Sequence, residues 1–212
     1  MRSMNFIWPI DDQWNHCNVR SVLQRPDIEA YWTELYSAIN GILWDDLINL
    51  HNHEYNDRMS MSVAISERID NELIEIGAEA EVPIFSKKLV SGRDDRYRLW
   101  KKLGPIAIDY SFGHPDGLRW KLNRLATAII PNKHSMENQC QLGVLIVATE
   151  SLRKAAKFDA KANWETAIED LNIMAAQLQA PIFILGLKNP ETFTMIDYGR
   201  GKKPRSHVQK LI

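Results

Sequence analysis

Cysteine is nearly absent from this chain of 212 residues, which has only Cys17 and Cys140. Two thiols so far apart give no disulfide framework, so a reducing compartment, the cytoplasm, is the expected location. Long apolar runs are missing as well. Leu142 to Ala148 and Pro181 to Leu187 are the longest, far below the roughly 20 residues that cross a bilayer. Met1 to Asp12 lacks the basic start and apolar run of an export signal, so no membrane partner is expected. Glycine and proline stand at 10 and 9 residues, with no linker-like stretch, which disfavours a tethered two-domain layout and collagen-like or disordered classes. No repeat period is present. Charge of one sign is lacking too: 26 basic residues face 27 acidic ones for a net charge of -1, so there is no global attraction for nucleic acid. The chain also has no Gly-rich phosphate loop, no Gly-x-Ser-x-Gly elbow and no CxxC pair, which sets aside nucleotide-binding, serine-hydrolase and thioredoxin-like chemistry.

What is present suits one globular domain with a full core, since 45% of the residues are apolar and 25% charged. The expected layout over 1–212 is an N-terminal helical part to about residue 80, a core over about 81–199 and a basic tail over 200–212. The balanced total hides local separation of sign. Arg93, Arg96, Arg98, Lys101 and Lys102 surround Asp94 and Asp95, and the tail carries Arg200, Lys202, Lys203, Arg205 and Lys210 without an acid.

Apolar spacing predicts a long amphipathic helix over Glu29 to Asn49, capped by Asp27 and open to a break at Gly41. A second covers Ser62 to Gly77, with Ile65, Ile69, Leu73 and Ile76 on one face. Ile106 to Phe112 reads as a strand, Pro115 to about Ile130 as a helix, Leu142 to Thr149 as a strand buried on both faces, Trp164 to Gln179 as a helix and Ile182 to Leu187 as another strand. Alternation of this kind predicts an α/β fold, a mixed central sheet flanked by helices, with Thr192 to Tyr198 as a further edge strand.

Asp109 is the informative position, because an acid inside Ile-Ala-Ile-Asp-Tyr-Ser-Phe is costly unless a cation or a donor meets it. Asp109 and Ser111 share a strand face, and Asp94 and Asp95 precede them by a strand or turn. Converging carboxylates suit Mg²⁺, a hard cation that takes oxygen ligands and keeps waters for a phosphate. On spacing alone the plainer reading, in which Asp109 ends a strand and bonds backbone amides, is the stronger. Glu72 borders the apolar stripe of its helix and is a further candidate for the same site, with Glu75 as fallback. His51-Asn52-His53, with His16 and Cys17, falls short of the paired four-ligand spacing of structural zinc. The tryptophans are spread along the chain as core or interface residues.

The segments Ala107-Ile108-Asp109-Tyr110-Ser111-Phe112-Gly113, Leu118-Arg119-Trp120-Lys121-Leu122-Asn123-Arg124-Leu125, Leu142 to Leu152 and Pro181 to Leu187 together resemble the catalytic half of type II restriction endonucleases of the BglII, BstYI and BamHI group. The resemblance runs from Asp94 to Leu187. It implies the restriction-endonuclease-like PD-(D/E)XK core, double-stranded DNA as substrate, a homodimer and, as a further partner, a companion DNA methyltransferase acting on the same site. It also implies Mg²⁺ held by Asp109 as the second acid and by Asp95 as the first, with Asp94 its competitor; Glu72, from its place on its helix, would add a further carboxylate. Ser111 stands where the group has Lys, Gln or Glu, and a serine hydroxyl neither acts as a base near neutral pH nor supplies charge. Lys121, on the next helix, would substitute if it reached back, its plainer role being a solvated surface residue. Arg93, Arg96, Arg98, Lys121, Arg200, Lys202, Lys203 and Arg205 are the expected DNA contacts, the last four charges as an extended arm. The implied function is a sequence-specific double-strand DNA endonuclease acting on a short palindromic site. The rivals are a catalytically silent protein of the same fold that binds DNA or a protein partner, and a small-molecule or RNA enzyme on that fold.

Overall fold

The two fully apolar runs form the middle of a six-stranded sheet with order β1-β6-β5-β4-β3-β2. We describe a computed structural model, over residues 6–7, 16–85, 97–112, 115–131, 139–158, 162–190, 193–198 and 205–211. The elements in chain order are β1 (Phe6–Ile7), α1 (Val19–Leu23), α2 (Pro26–Gly41), α3 (Trp44–Glu54), α4 (Ser62–Glu75), β2 (Glu79–Pro83), β3 (Arg98–Leu103), β4 (Ile106–Ser111), α5 (Pro115–Ile129), β5 (Leu142–Ala148), α6 (Glu150–Ala155), α7 (Trp164–Ile173), β6 (Ile182–Leu187), β7 (Phe193–Tyr198) and β8 (Arg205–Lys210).

Strand β4 is where the sheet changes character. It runs parallel to β5, with Asp109 opposite Leu145, and antiparallel to β3, with Lys101 opposite Ile108. β5 and β6 continue in parallel, and every residue of both is buried, which explains their lack of polar alternation. Strand parity separates two helical layers. On one face Phe183 meets Trp32 of α2 edge to face at 5.1 Å, and Lys101 pairs with Asp70 of α4 at 2.6 Å. On the other, α5 lies over Gly143, where an added Cβ would come within 3.2 Å of Leu125 and Ile129. Trp164 of α7 covers Gly186 so closely that a Cβ there would lie 2.6 Å from its ring. Asp109 and Ser111, in register with Leu145 and Val147 and alternating with Ile108, lie on the α5 face.

Several local expectations change in the folded chain. The long N-terminal helix divides at Ile42 and Leu43, giving α2 and α3. Asp27 is not the cap, because α2 begins at Pro26 and Asp27 sits in its first turn, paired with Arg25 at 2.6 Å. α4 stops at Glu75, and Gly77 takes the left-handed conformation (φ 81°) that releases the chain toward β2. Thr192 to Tyr198 does not add an edge strand to the main sheet: its described part is β7, which pairs with β8 in a separate two-stranded sheet. That hairpin docks on α3, where Phe193 stacks on Trp44 at 5.0 Å. Asn52 bonds the backbone of Val208 in both directions, and buried His51 bonds Ser206 Oγ at 2.9 Å. Arg205 to Lys210 is therefore a strand bound to the body, and Lys210 ends it on Asp45 at 2.6 Å. Among the described residues no helix is long and apolar enough to cross a membrane.

Candidate active site

The carboxylate of Asp109 lies near the C-terminal end of β4, at the point where parallel pairing gives way to antiparallel. Asp109 is only 2% exposed, and a buried carboxylate demands compensation. Three groups provide it. The backbone N–H of Tyr110 donates to Oδ1 at 2.9 Å, Lys121 Nζ stands 3.3 Å from Oδ1, and Arg124 Nη2 donates to Oδ2. The amide belongs to the plainer reading of Asp109; the two cations go beyond it.

Both cations come from α5. Leu118, Leu122 and Leu125 bury the inner face of this helix, and Lys121 and Arg124, three residues apart, emerge on the side nearest the end of β4. Lys121 is not a freely solvated surface residue: it also donates to the Tyr110 carbonyl oxygen and lies 5.4 Å from the centre of the Tyr110 ring. Arg124 was not among the sequence candidates. The signal for it was there, since Asp109 needed cations and Lys121-Leu122-Asn123-Arg124 places two on one helical face. Ser111 is buried on the Asp109 side of the strand.

Glu72 does not belong to this cluster. Its carboxylate is held by Arg68 of its own helix at 2.6 Å, and the α4 acid that reaches the strands is Asp70, through buried Lys101. Tyr110 faces the same helix. Burial pushes its phenol up from the usual tyrosine range, a hydrogen bond from Ser66 opposes this, and Asp70 and Asp109 add to it.

The expected basic patches are also redistributed. Lys101 and Lys102 are buried and answer Asp70 and Glu79, at 2.6 and 3.8 Å. Arg98 donates to the Glu81 carbonyl at 3.0 Å, and Arg205 is exposed at the start of β8. Arg93, Asp94, Asp95, Arg96, Arg200, Lys202 and Lys203 lie outside the described residues. Among those described, no three His, Cys, Asp or Glu residues gather as a metal site. The donor chemistry at Asp109 nevertheless fits a hard cation, with a carboxylate and the Ser111 hydroxyl on one strand face. Lys121 and Arg124 already neutralise that single carboxylate, so a divalent ion there calls for a further acid, the role expected of Asp95 or Asp94. His51 belongs to the hairpin contact, not to a metal cluster.

The comparisons with known proteins agree with this layout. A family model described as restriction endonuclease BglII/BglIII matches residues 12–187. Among solved structures, a crystal structure of restriction endonuclease BglII complexed with a DNA 16-mer superposes with a TM-score of 0.57. Its identity to this chain is 18%, and the match covers 93% of this chain and 88% of that one. No curated protein sequence matches significantly.

Proposed function

The chain belongs to the BglII/BglIII restriction endonuclease family and is a type II site-specific deoxyribonuclease, and from that premise we propose that it cuts both strands of a short palindromic DNA site as an Mg²⁺-dependent homodimer. Endonucleases of this kind need a divalent metal ion. Asp109 and Asp95, with Asp94 the competitor for the second place, would hold it. When bound, the ion would acidify the attacking water and offset charge on the phosphate. The observation that carries the reading is Asp109, a buried acid near the C-terminal end of β4 that two cations of α5 meet, in a chain whose family hydrolyses DNA. The solved relative is itself a DNA complex, which supports double-stranded DNA as the ligand.

The chain's own groups have separable roles. Asp109 orients the reacting centre, Ser111 at most positions the attacking water, and Arg98, Lys121, Arg205 and the basic residues Arg93, Arg96, Arg200, Lys202 and Lys203 meet phosphates. In the reaction the water oxygen bonds to phosphorus, the bond from phosphorus to a sugar oxygen breaks, and that oxygen leaves with a proton. A palindromic site presents two antiparallel strands, which a twofold dimer addresses with two copies of one centre. A methyltransferase of the same specificity would protect the host DNA.

Digestion of a long, fully sequenced DNA with Mg²⁺, followed by mapping of fragment ends, tests the reading. Ends at one recurring short sequence support it; intact DNA under all divalent ions refutes it. Light scattering should give twice the 24.5 kDa chain mass; a strict monomer, with and without DNA, refutes the dimer. One observation favours a second reading, a silent DNA-binding protein: both oxygens of Asp109 are already engaged by Lys121 and Arg124.

A further inference from the structure

Strand β4 carries no positive charge beside Asp109: the next residue on that face is Ser111, buried and neutral. The charge arrives from the helix. Lys121 Nζ is 3.3 Å from Asp109 Oδ1, donates to the Tyr110 carbonyl and lies against the Tyr110 ring, so three anchors hold it at the end of the strand. Its side chain is 25% exposed where that of Asp109 is 3%. The lysine is thus the more exposed partner of the pair, the one an approaching anion can reach. An ammonium has three N–H donors; the Tyr110 carbonyl takes one and Asp109 lies beside it as an ion pair at 3.3 Å, which leaves donor capacity for an incoming oxygen.

We propose that Lys121 is a catalytic residue, the cation that contacts a non-bridging oxygen of the scissile phosphate and stabilises the charge that grows there. This rests on the nuclease reading above and assigns within it a role beyond general phosphate contact. As the water oxygen adds to phosphorus and the sugar oxygen departs, the ammonium strengthens one hydrogen bond; it exchanges neither a proton nor an electron pair. Arg124 is the positioning partner. Because it holds Oδ2 of Asp109, Lys121 can turn toward phosphate without leaving the buried carboxylate uncompensated.

The test compares wild type with Lys121→Gln, Lys121→Arg and the double variant Lys121→Gln with Ser111→Lys. Single-turnover cleavage at saturating DNA, DNA affinity and the thermal midpoint are measured for each. Lys121→Gln should slow cleavage about 100-fold or more, the loss typical of one preorganised donor, with affinity within about threefold because one phosphate contact among many is lost. Lys121→Arg should recover much of the rate. A lysine at position 111, on the Asp109 face, should restore at least tenfold over Lys121→Gln, because it returns the charge from the strand. Unchanged cleavage by Lys121→Gln overturns the proposal. So does a loss that Lys121→Arg fails to relieve and that follows the thermal midpoint, since Lys121 would then only support the fold. Wild-type protein that binds DNA but never cuts it overturns the nuclease reading and this role together, whereas wild-type cleavage indifferent to Lys121 overturns this role alone.

Discussion

Arg124 and Asp109, 15 residues apart in the sequence, close a largely buried ion pair between α5 and the C-terminal part of β4. The pair fixes the carboxylate from the helix side while the Tyr110 amide fixes it from the strand. Asp109 thereby becomes a rigid part of the sheet, with its orientation set before any ligand arrives. Preorganisation of this kind is what a metal ligand or phosphate-facing acid requires.

The assignment of Asp109 is checked by Asp109→Asn, which keeps the shape and removes the charge. Cleavage should vanish while DNA binding persists or tightens, because a negative charge near phosphate is gone. Cleavage above a few per cent of wild type would remove Asp109 from the metal site. Asp95→Asn should behave alike and Asp94→Asn mildly, and the opposite ranking would transfer the first-acid role to Asp94.

Arg124→Gln should destabilise the protein by about 3 kcal/mol, the lower end of the cost of stripping one partner from a buried pair, since Lys121 still compensates Asp109. Urea denaturation measures it. In the double variant with Asp109→Asn the two losses should fall short of additivity by about 0.5 to 3 kcal/mol, the range for groups in contact. Strict additivity would show that the ion pair contributes nothing.

The hairpin contact should be sensitive to acid. Burial, with His207 next, pushes the His51 imidazole below its usual 6.5, while Asp57 opposes them. The unfolded chain therefore takes up this proton first, and stability falls as pH drops below 6.5 toward the lowered folded value. His51→Gln can still bond Ser206 but cannot titrate. Thermal midpoints from pH 7.5 down to 5 should fall less steeply for the variant than for wild type, and parallel slopes would exclude His51 as a source of the acid sensitivity.

Anchorage of β8 changes how the basic tail is best tested. Deleting it would strip Ser206 and Val208 from α3, so charge alone should be removed, by Arg200→Gln, Lys202→Gln and Lys203→Gln together. Each phosphate contact contributes roughly -0.9 to the slope of log K against log salt, so the slope should flatten by about 2 to 3 if all three touch DNA. Specific and random DNA should lose similar affinity, because backbone contacts do not read bases. An unchanged slope would leave the phosphate contacts to Arg93, Arg96, Arg98, Lys121 and Arg205.

Spacing alone determined the alternation of helix and strand from Ile106 to Leu187, because apolar period is a local property that survives in any fold burying those faces. It also singled out Asp109, since an acid in an apolar run has to be answered wherever the run is placed. What answers it was a tertiary matter. Lys121 and Arg124 reach Asp109 because α5 packs back over β4, and Glu72 does not because Arg68 claims it on α4. The basic run at Lys101 and Lys102 gave the same lesson: in sequence it reads as a surface patch, and in the fold Lys101 is drawn inward against Asp70 of α4 while Lys102 is buried along its stem and lies 3.8 Å from exposed Glu79 of β2. β7 likewise has the composition of an edge strand, yet it pairs with β8, and α3 seats that pair through Trp44 against Phe193 and through His51 and Asn52 against Ser206 and Val208. Such choices depend on which elements pack together, from Arg124 and Asp109, 15 residues apart, to His51 and Ser206, 155 apart, and local periodicity carries no information about them.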